Sequence, residues 1–294
     1  MAKVCIVIVN YNGENYQNDC IRTLYEMNYT DFEIIVIDSG SKDNSIKKLR
    51  KQYPQVNTIM CNENVGVAAG NNIGIKYSIK SGAEYTLLLN NDTEVDKNML
   101  SELIKASSES VVTVPKIYFF NPKNILWFAG GTLRWKNASA EHIGNGEVDK
   151  GQYDSSCEIT YSPTCCMLIN NKIFETVGLM DEKMFMYFDD TDFCARLNLA
   201  GVKIKYVPKS IVWHKVSSSA GGSNSKITVY YNNRNQLYYM KKYKKMISRS
   251  TTIKVIVKGI LKSLLGRFRN RPNDKYIAVG YVDYIKGNMG RKDF

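Results

Sequence analysis

Histidine and closely spaced cysteine are the scarcest features of this sequence. Among 294 residues there are two histidines, His142 and His214, and seven cysteines that never occur as Cys-x-x-Cys. That excludes the usual zinc modules, whose ligands come in such pairs. The cysteines (Cys5, Cys20, Cys61, Cys157, Cys165, Cys166 and Cys194) are odd in number and scattered. A disulfide framework is therefore not expected, and reduced, mostly buried thiols are. No stretch reaches 18 apolar residues, so no membrane-spanning helix is expected. The apolar opening, Val4 to Val9, is too short for a secretory leader and runs into Asn-Tyr-Asn-Gly, which points to a cytoplasmic protein. The phosphate-cradling patterns Gly-x-x-x-x-Gly-Lys-Ser/Thr and Gly-x-Gly-x-x-Gly are absent, as is the Gly-x-Ser-x-Gly nucleophile elbow.

Most of the chain also lacks any excess of charge. The formal net charge is +12, yet residues 1–240 carry 25 basic and 25 acidic side chains, whereas residues 241–294 carry 15 basic and 3 acidic. A basic groove running through the main body is excluded on that distribution, and no specific nucleic-acid partner is expected. A nucleic-acid-binding tail stays open as an alternative.

What is present is an alternation of elements. Val4–Val9, Glu33–Ile37, Thr58–Cys61 and Tyr85–Leu89 are short apolar runs, and Glu14–Met27 and Gly70–Ser81 carry helical spacing. The order β-α-β-α-β-α-β predicts an α/β fold, a mostly parallel sheet with flanking helices. The polar stretches Asn10–Gly13, Asp38–Asp43, Asn62–Gly66 and Asn90–Thr93 follow the strands, where ligands of such sheets bind. Residues 111–170 read as β-rich, Met184–Ala200 as a helix, Val202–Val207 as a strand ending at Pro208, and 217–225 as a flexible loop. In the tail, Ile253, Ile256, Val257, Ile260, Leu261, Leu264, Leu265 and Phe268 form a helical apolar stripe beside Lys254, Lys258 and Lys262. Such a basic amphipathic helix suits an anionic membrane surface, placing 251–268 at the inner face of the cell membrane. A helix packed on the core with solvated lysines is the alternative.

Chemistry is concentrated in carboxylates at loop starts. Asp92 ends an apolar strand, where it can hold a divalent cation across two phosphates or simply make an Asx turn. Asp189, Asp190 and Asp192 are three acids in four residues among aromatics. Crowding beside apolar rings raises the pKa of at least one, as a general base requires, although acids also cap helices. His214 ends a strand and can ligate a metal or be merely structural. His142 has no such setting and is read as a surface residue. Arg234 could clamp a diphosphate or form a helix salt bridge.

In this order these pieces resemble the family 2 glycosyltransferases, which have the GT-A (Rossmann-like) fold, and among them the rhamnosyltransferase-like branch. The likeness covers about residues 3–240 and implies a nucleotide-binding half (about 1–110), an acceptor and catalytic half (about 111–240), and a separate basic segment, 241–294. It implies donor contacts from Asn10, Tyr11 and Asn12, from Asp38, and from Asn64, Gly66, Gly70 and Asn71 of the Gly/Asn-rich loop. Asn90-Asn91-Asp92 sits where the family carries its metal-binding Asp-x-Asp, and Trp213-His214 where a histidine completes that site. Tyr230 and Arg234-Asn235 resemble residues that reach the diphosphate. Asp190 is similar to the catalytic base, with Asp189 orienting it or the acceptor. Pro163-Thr164-Cys165-Cys166 departs from the Gly-Ala that relatives often carry there, which reshapes the sugar pocket. The implied activity is inverting, metal-dependent transfer (Mn2+ or Mg2+) from a dTDP- or UDP-sugar to a glycan or lipid-linked oligosaccharide. A non-catalytic nucleotide-sugar-binding protein and a nucleotidyltransferase are the other readings.

Overall fold

A computed structural model describes residues 3–215, 222, 224–266 and 270–294. Most of the expected 217–225 loop, and Phe268 of the tail stripe, lie outside the described residues. The first half alternates as the sequence predicts: β1 (Val4–Asn10), α1 (Gln17–Tyr25), β2 (Phe32–Asp38), α2 (Ser45–Gln52), β3 (Asn57–Met60), α3 (Gly66–Lys80) and β4 (Tyr85–Asn90). A short β5 (Thr93–Val95) and α4 (Met99–Ala106) lead into the β-rich stretch, β6 (Val111–Phe119), β7 (Leu126–Phe128), β8 (Gly131–Arg134), β9 (Ser139–His142), β10 (Cys157–Ile159) and β11 (Cys166–Asn170). The chain continues through α5 (Ile173–Val177), α6 (Asp189–Leu199), β12 (Lys203–His214), α7 (Lys226–Lys242), α8 (Arg249–Leu265) and α9 (Lys275–Lys286).

Strand order in the main sheet is β10-β12-β6-β11-β4-β1-β2-β3, with β5 added on β12 and β7 on β6. β1 pairs in parallel with both β2 and β4, while β11 is antiparallel between β4 and β6. This is the α/β, GT-A-like architecture expected. Residues Val4–Ile8 of β1 are wholly buried because helices cover both faces of a central parallel strand. α3 lies close against β1: a Cβ at Gly70 would meet Val9 and one at Gly74 would meet Val7. The glycines are thus required for close approach of helix and strand.

Two expected elements differ. The helix read from Met184 begins only at Asp189, because Phe185, Tyr187 and Phe188 take left-handed backbone angles (φ 62–65°) that no α-helix continues through. The strand read as ending at Pro208 runs on to His214. The pairing of β12 with β6 is irregular between Val207 and Ile211, so the proline, which has no N–H, sits where no ladder bond is demanded of it. That continuation delivers His214 opposite Thr93 and therefore next to Asp92.

Candidate active site

At the carboxyl ends of β1, β2 and β4 lies a cavity of about 380 Å³. Its inner wall includes Tyr11, Asn64, Gly66, Asn71, Asn90, Asn91 and Asp92, all expected from sequence. Asn10 and Asp38 are buried behind it. Asn10 Nδ2 donates to Asp38 Oδ1 at 3.0 Å and to Ser45 Oγ at 2.9 Å, while its Oδ1 accepts from Asn91 at 2.8 Å. These two latch the loops rather than form the wall. Asn12 serves the same latch, accepting from Lys42 N–H at 2.8 Å. Gly70 faces Val9, not the cavity. Gly66 is different: its φ of +83° and the closeness of Phe185 leave no room for a side chain. Val67 N–H can then bond Phe185 carbonyl at 2.8 Å, joining α3 to the opposite wall.

Asp92 and His214 meet on the floor, Oδ1 to Nε2 at 3.1 Å, both nearly buried. His214 Nδ1 is buried with no hydrogen-bond partner among the described residues. Asn90 Nδ2 lies 3.5 Å from the same imidazole. A carboxylate, an imidazole and an adjoining amide suit a hard divalent cation whose remaining ligands come from phosphate oxygens. Two protein ligands fit that role and not a closed structural metal centre, since no cluster of three or more His, Cys, Asp or Glu exists among the described residues.

Trp127 of β7 connects this floor to the carboxylate pair. Its ring meets His214 edge-on at 4.6 Å and His142 at 4.7 Å. His142 is therefore not a surface residue. Its hairpin, β8–β9, folds it against Trp127, Phe128 and Tyr161. Burial first, and then the neighbouring His214, lower its pKa; the bond to Trp127 carbonyl at 3.1 Å and the charge of Asp190 oppose them. A carbonyl only accepts, so Nδ1 carries the proton of the neutral ring.

Asp189 and Asp190 open α6. Burial and the adjacent Asp190 charge push Asp189 up to about 8. Asp190 is raised as well, chiefly by burial, but three donors favour its ionised form: Tyr161 Oη at 2.8 Å, Thr191 N–H at 2.6 Å and Thr191 Oγ1 at 3.1 Å. Of the two, Asp189 therefore holds a proton the more strongly, and the three donors make Asp190 the one whose ionised form is favoured.

Before them runs the left-handed segment 185–188, held by α7. Asn235 Nδ2 lies 2.8–2.9 Å from the carbonyls of Met184, Met186 and Tyr187, and Arg234 Nη2 donates to Met184 carbonyl at 3.1 Å. Arg234 is fully buried; it also donates Nη1 to Gly290 carbonyl at 2.6 Å and Nε to Asn235 Oδ1 at 3.0 Å. Tyr230 is buried too and donates to Asp283 at 2.8 Å. Neither side chain lines the cavity. They fasten the loop carrying Phe185 and the acidic pair, and α9, onto α7.

The outer wall contains residues that sequence reasoning missed: Phe185, Met186, Lys226, Tyr231 and the segment Arg291–Phe294. Arg291 pairs with Glu63 at 3.1 Å, Lys292 N–H bonds Tyr231 Oη at 2.7 Å, and Phe294 packs edge-on against Tyr230 at 5.1 Å. Tyr161 and Trp127 carry no motif, and their roles follow from three-dimensional neighbours only. Phe294 and Tyr231 are aromatic residues that charge counting passed over.

The sequence model described as glycosyl transferase family 2 matches residues 5–178. The low-salt glycan biosynthesis hexosyltransferase Agl10 of Haloferax volcanii is 27% identical over 97% of this chain and 91% of its own length. The dTDP-rhamnosyl transferase RfbF of Shigella flexneri is 25% identical over 82% of this chain and 81% of its own. The crystal structure of GalNAc-T7 with UDP, GalNAc and Mn2+ superposes with a TM-score of 0.66 at 17% identity, over 82% of this chain and 48% of that one. That of S. aureus TarS 1-349 does so with 0.53 at 13% identity, over 99% and 94%. Both show a shared fold.

Proposed function

Because the chain belongs to glycosyl transferase family 2, we propose that it transfers rhamnose or a hexose from a dTDP- or UDP-sugar to a hydroxyl of a lipid-linked cell-surface glycan, with inversion at the anomeric carbon. The observation that carries this reading is the joint placement of two groups around Trp127. On one side the Asp92–His214 dyad stands at the cavity floor; on the other, through His142 and Tyr161, stands Asp190.

Asp92 and His214 would hold Mn2+ or Mg2+, which when bound neutralises charge on the departing diphosphate. Tyr11, Asn64 and Asn71 offer the polar wall for the nucleotide. Asp190 takes the proton of the acceptor hydroxyl as that oxygen bonds to the anomeric carbon and the bond to the diphosphate breaks. Asp189, holding its own proton, supplies no competing charge. The chain would act at the inner membrane face. Supporting contact with a membrane, the apolar stripe of α8 stands exposed beside lysines.

A panel of nucleotide sugars tests the reading. Asp190→Asn is expected to bind donor normally while losing at least ~100-fold in transfer, the lower range for a positioned base. EDTA is expected to abolish transfer and Mn2+ to restore it. Near wild-type transfer by that variant would remove Asp190 from its role. Donor binding without turnover by the wild type would identify a nucleotide-sugar-binding protein instead.

A further inference from the structure

Helix α8 is inside out. Its seam against the protein buries the small residues Thr251 and Gly259, with Val255 and Ile256 half-buried against the core; Tyr281 of α9 packs there and donates to Val255 carbonyl. Ile253, Val257, Ile260, Leu261 and Leu264 are 46–68% exposed. Beside that apolar face, Lys254, Lys258 and Lys262 line a groove of about 560 Å³ together with Lys136, which lies in the turn between β8 and β9. Neutral side chains complete it, among them Asn233 and Gln236, and no carboxylate does. Elsewhere lysines such as Lys116, Lys215 and Lys242 sit on carboxylates. None of these four has an ion-pair partner among the described residues. Four lysines lining one groove with no carboxylate among its lining residues offer a positive surface that a bound anion complements.

The groove is tied to the catalytic carboxylate by a rigid element. In hairpin β8–β9, Gly131 pairs with His142 at the end that meets Tyr161, the donor to Asp190. Lys136 stands in the turn at the other end. Strands of four residues place these ends roughly 10–15 Å apart.

We propose that this groove is an acceptor subsite for the phosphate of a lipid-linked glycan. The phosphate oxygens lie among Lys136, Lys254, Lys258 and Lys262, the hydrocarbon follows the exposed face of α8 into the bilayer, and the glycan reaches along the hairpin to Asp190. This rests on the lipid-linked-acceptor reading above and gives it a location.

Flotation of the full chain tests it, with vesicles of phosphatidylcholine alone, with added polyprenyl phosphate, or with added phosphatidylglycerol. The wild type is expected to float preferentially with polyprenyl phosphate, and soluble pyrophosphate to compete. The triple variant Lys136→Gln, Lys254→Gln, Lys258→Gln is expected to lose roughly a hundredfold in partition, at about one kcal/mol per lysine near the surface. A control with equal charge loss outside the groove, Lys241→Gln, Lys244→Gln, Lys245→Gln, is expected to lose less than about tenfold. Wild-type flotation by the groove variant, an equal loss by the control, or equal partition onto phosphatidylglycerol would each overturn the subsite. Donor hydrolysis in solution is read in parallel and is expected to be unchanged in the groove variant. Donor binding by the wild type is measured alongside it, and absence of that binding would undo the transferase reading while leaving the flotation result interpretable.

Discussion

Asp189 and Asp190 illustrate how neighbours divide the work of two identical side chains. Asp189 has only burial and a like charge acting on it in strength, so it keeps its proton. Asp190 has three donors, so it gives its proton up first. Two outcomes follow from the signs. Asp189 binds a proton in the folded chain at pH values where the unfolded chain, with an ordinary aspartate, does not. Its contribution therefore weakens as pH rises from the ordinary carboxylate range towards about 8. Asp189→Asn, which imitates the protonated form, is expected to raise Tm by a few degrees, more at pH 8 than at pH 5, by scanning calorimetry. Tyr161 donates to Asp190 and thereby favours its ionised form. Tyr161→Phe is expected to move the acid limb of kcat/KM to higher pH, with a several-fold loss at pH 6 and little at pH 8; an unmoved limb would detach Tyr161 from the base. The crowding of these acids was legible, since three aspartates in four residues among aromatics raise the pKa of at least one, but the helix start they also form was an equal reading of the same pattern. His142 was not legible, since nothing in its local sequence tells that a hairpin folds it beneath Trp127.

At the level of elements, the feature that positions this pair is the clamp of α7 on residues 184–188. Backbone in the left-handed region at non-glycine residues costs on the order of 1 kcal/mol or more each, and persists only where surrounding bonds enforce it. Asn235 supplies those bonds to three carbonyls at once. Asn235→Ala would take its donor from the Met186 and Tyr187 carbonyls, while Met184 carbonyl keeps Arg234 and Met186 N–H; a buried group left unpaired costs about 1–3 kcal/mol. The expected result is a loss of at least ~2 kcal/mol in urea unfolding, with kcat falling and donor affinity largely kept because the inner wall is untouched. The Arg-Asn pair was readable as important, yet its placement was not. An arginine beside a phosphate pocket and an arginine capping carbonyls look alike in sequence, and only the path of Gly290 beside α7 distinguishes them. The alternation of β1 to β4 was readable for the opposite reason, since continuous apolar strands and polar strand ends are local properties. β12 passing Pro208 depends on what β6 does next to it, which no local pattern records.

The whole molecule adds one relation that neither scale shows: the C-terminal end of the basic tail lines the same cavity as the strand-end loops of the first half. α9 is fastened to α7 by the Tyr230–Asp283 bond, and Arg234 holds Gly290 carbonyl, so the chain returns from α9 across the mouth of the cavity. There Arg291 to Phe294 form part of its outer wall, anchored to Glu63 and Tyr231. Of the tail's basic residues, Lys254, Lys258 and Lys262 line the groove on α8, and Arg291 and Lys292 line the mouth of the cavity. A wall that closes on the donor both contributes contacts and excludes water from the anomeric carbon. Removing residues 290–294 is expected to raise donor KM about tenfold, the worth of roughly 1.4 kcal/mol of lost contact, and to increase donor hydrolysis relative to transfer. Since Arg234 would also lose its carbonyl partner, the full-length variants Arg291→Ala and Phe294→Ala should reproduce the KM effect in part with Tm little changed. Initial-rate kinetics with varied donor distinguish the two possibilities. Faster turnover at unchanged KM after truncation would make this segment an obstruction to the donor and not part of its site.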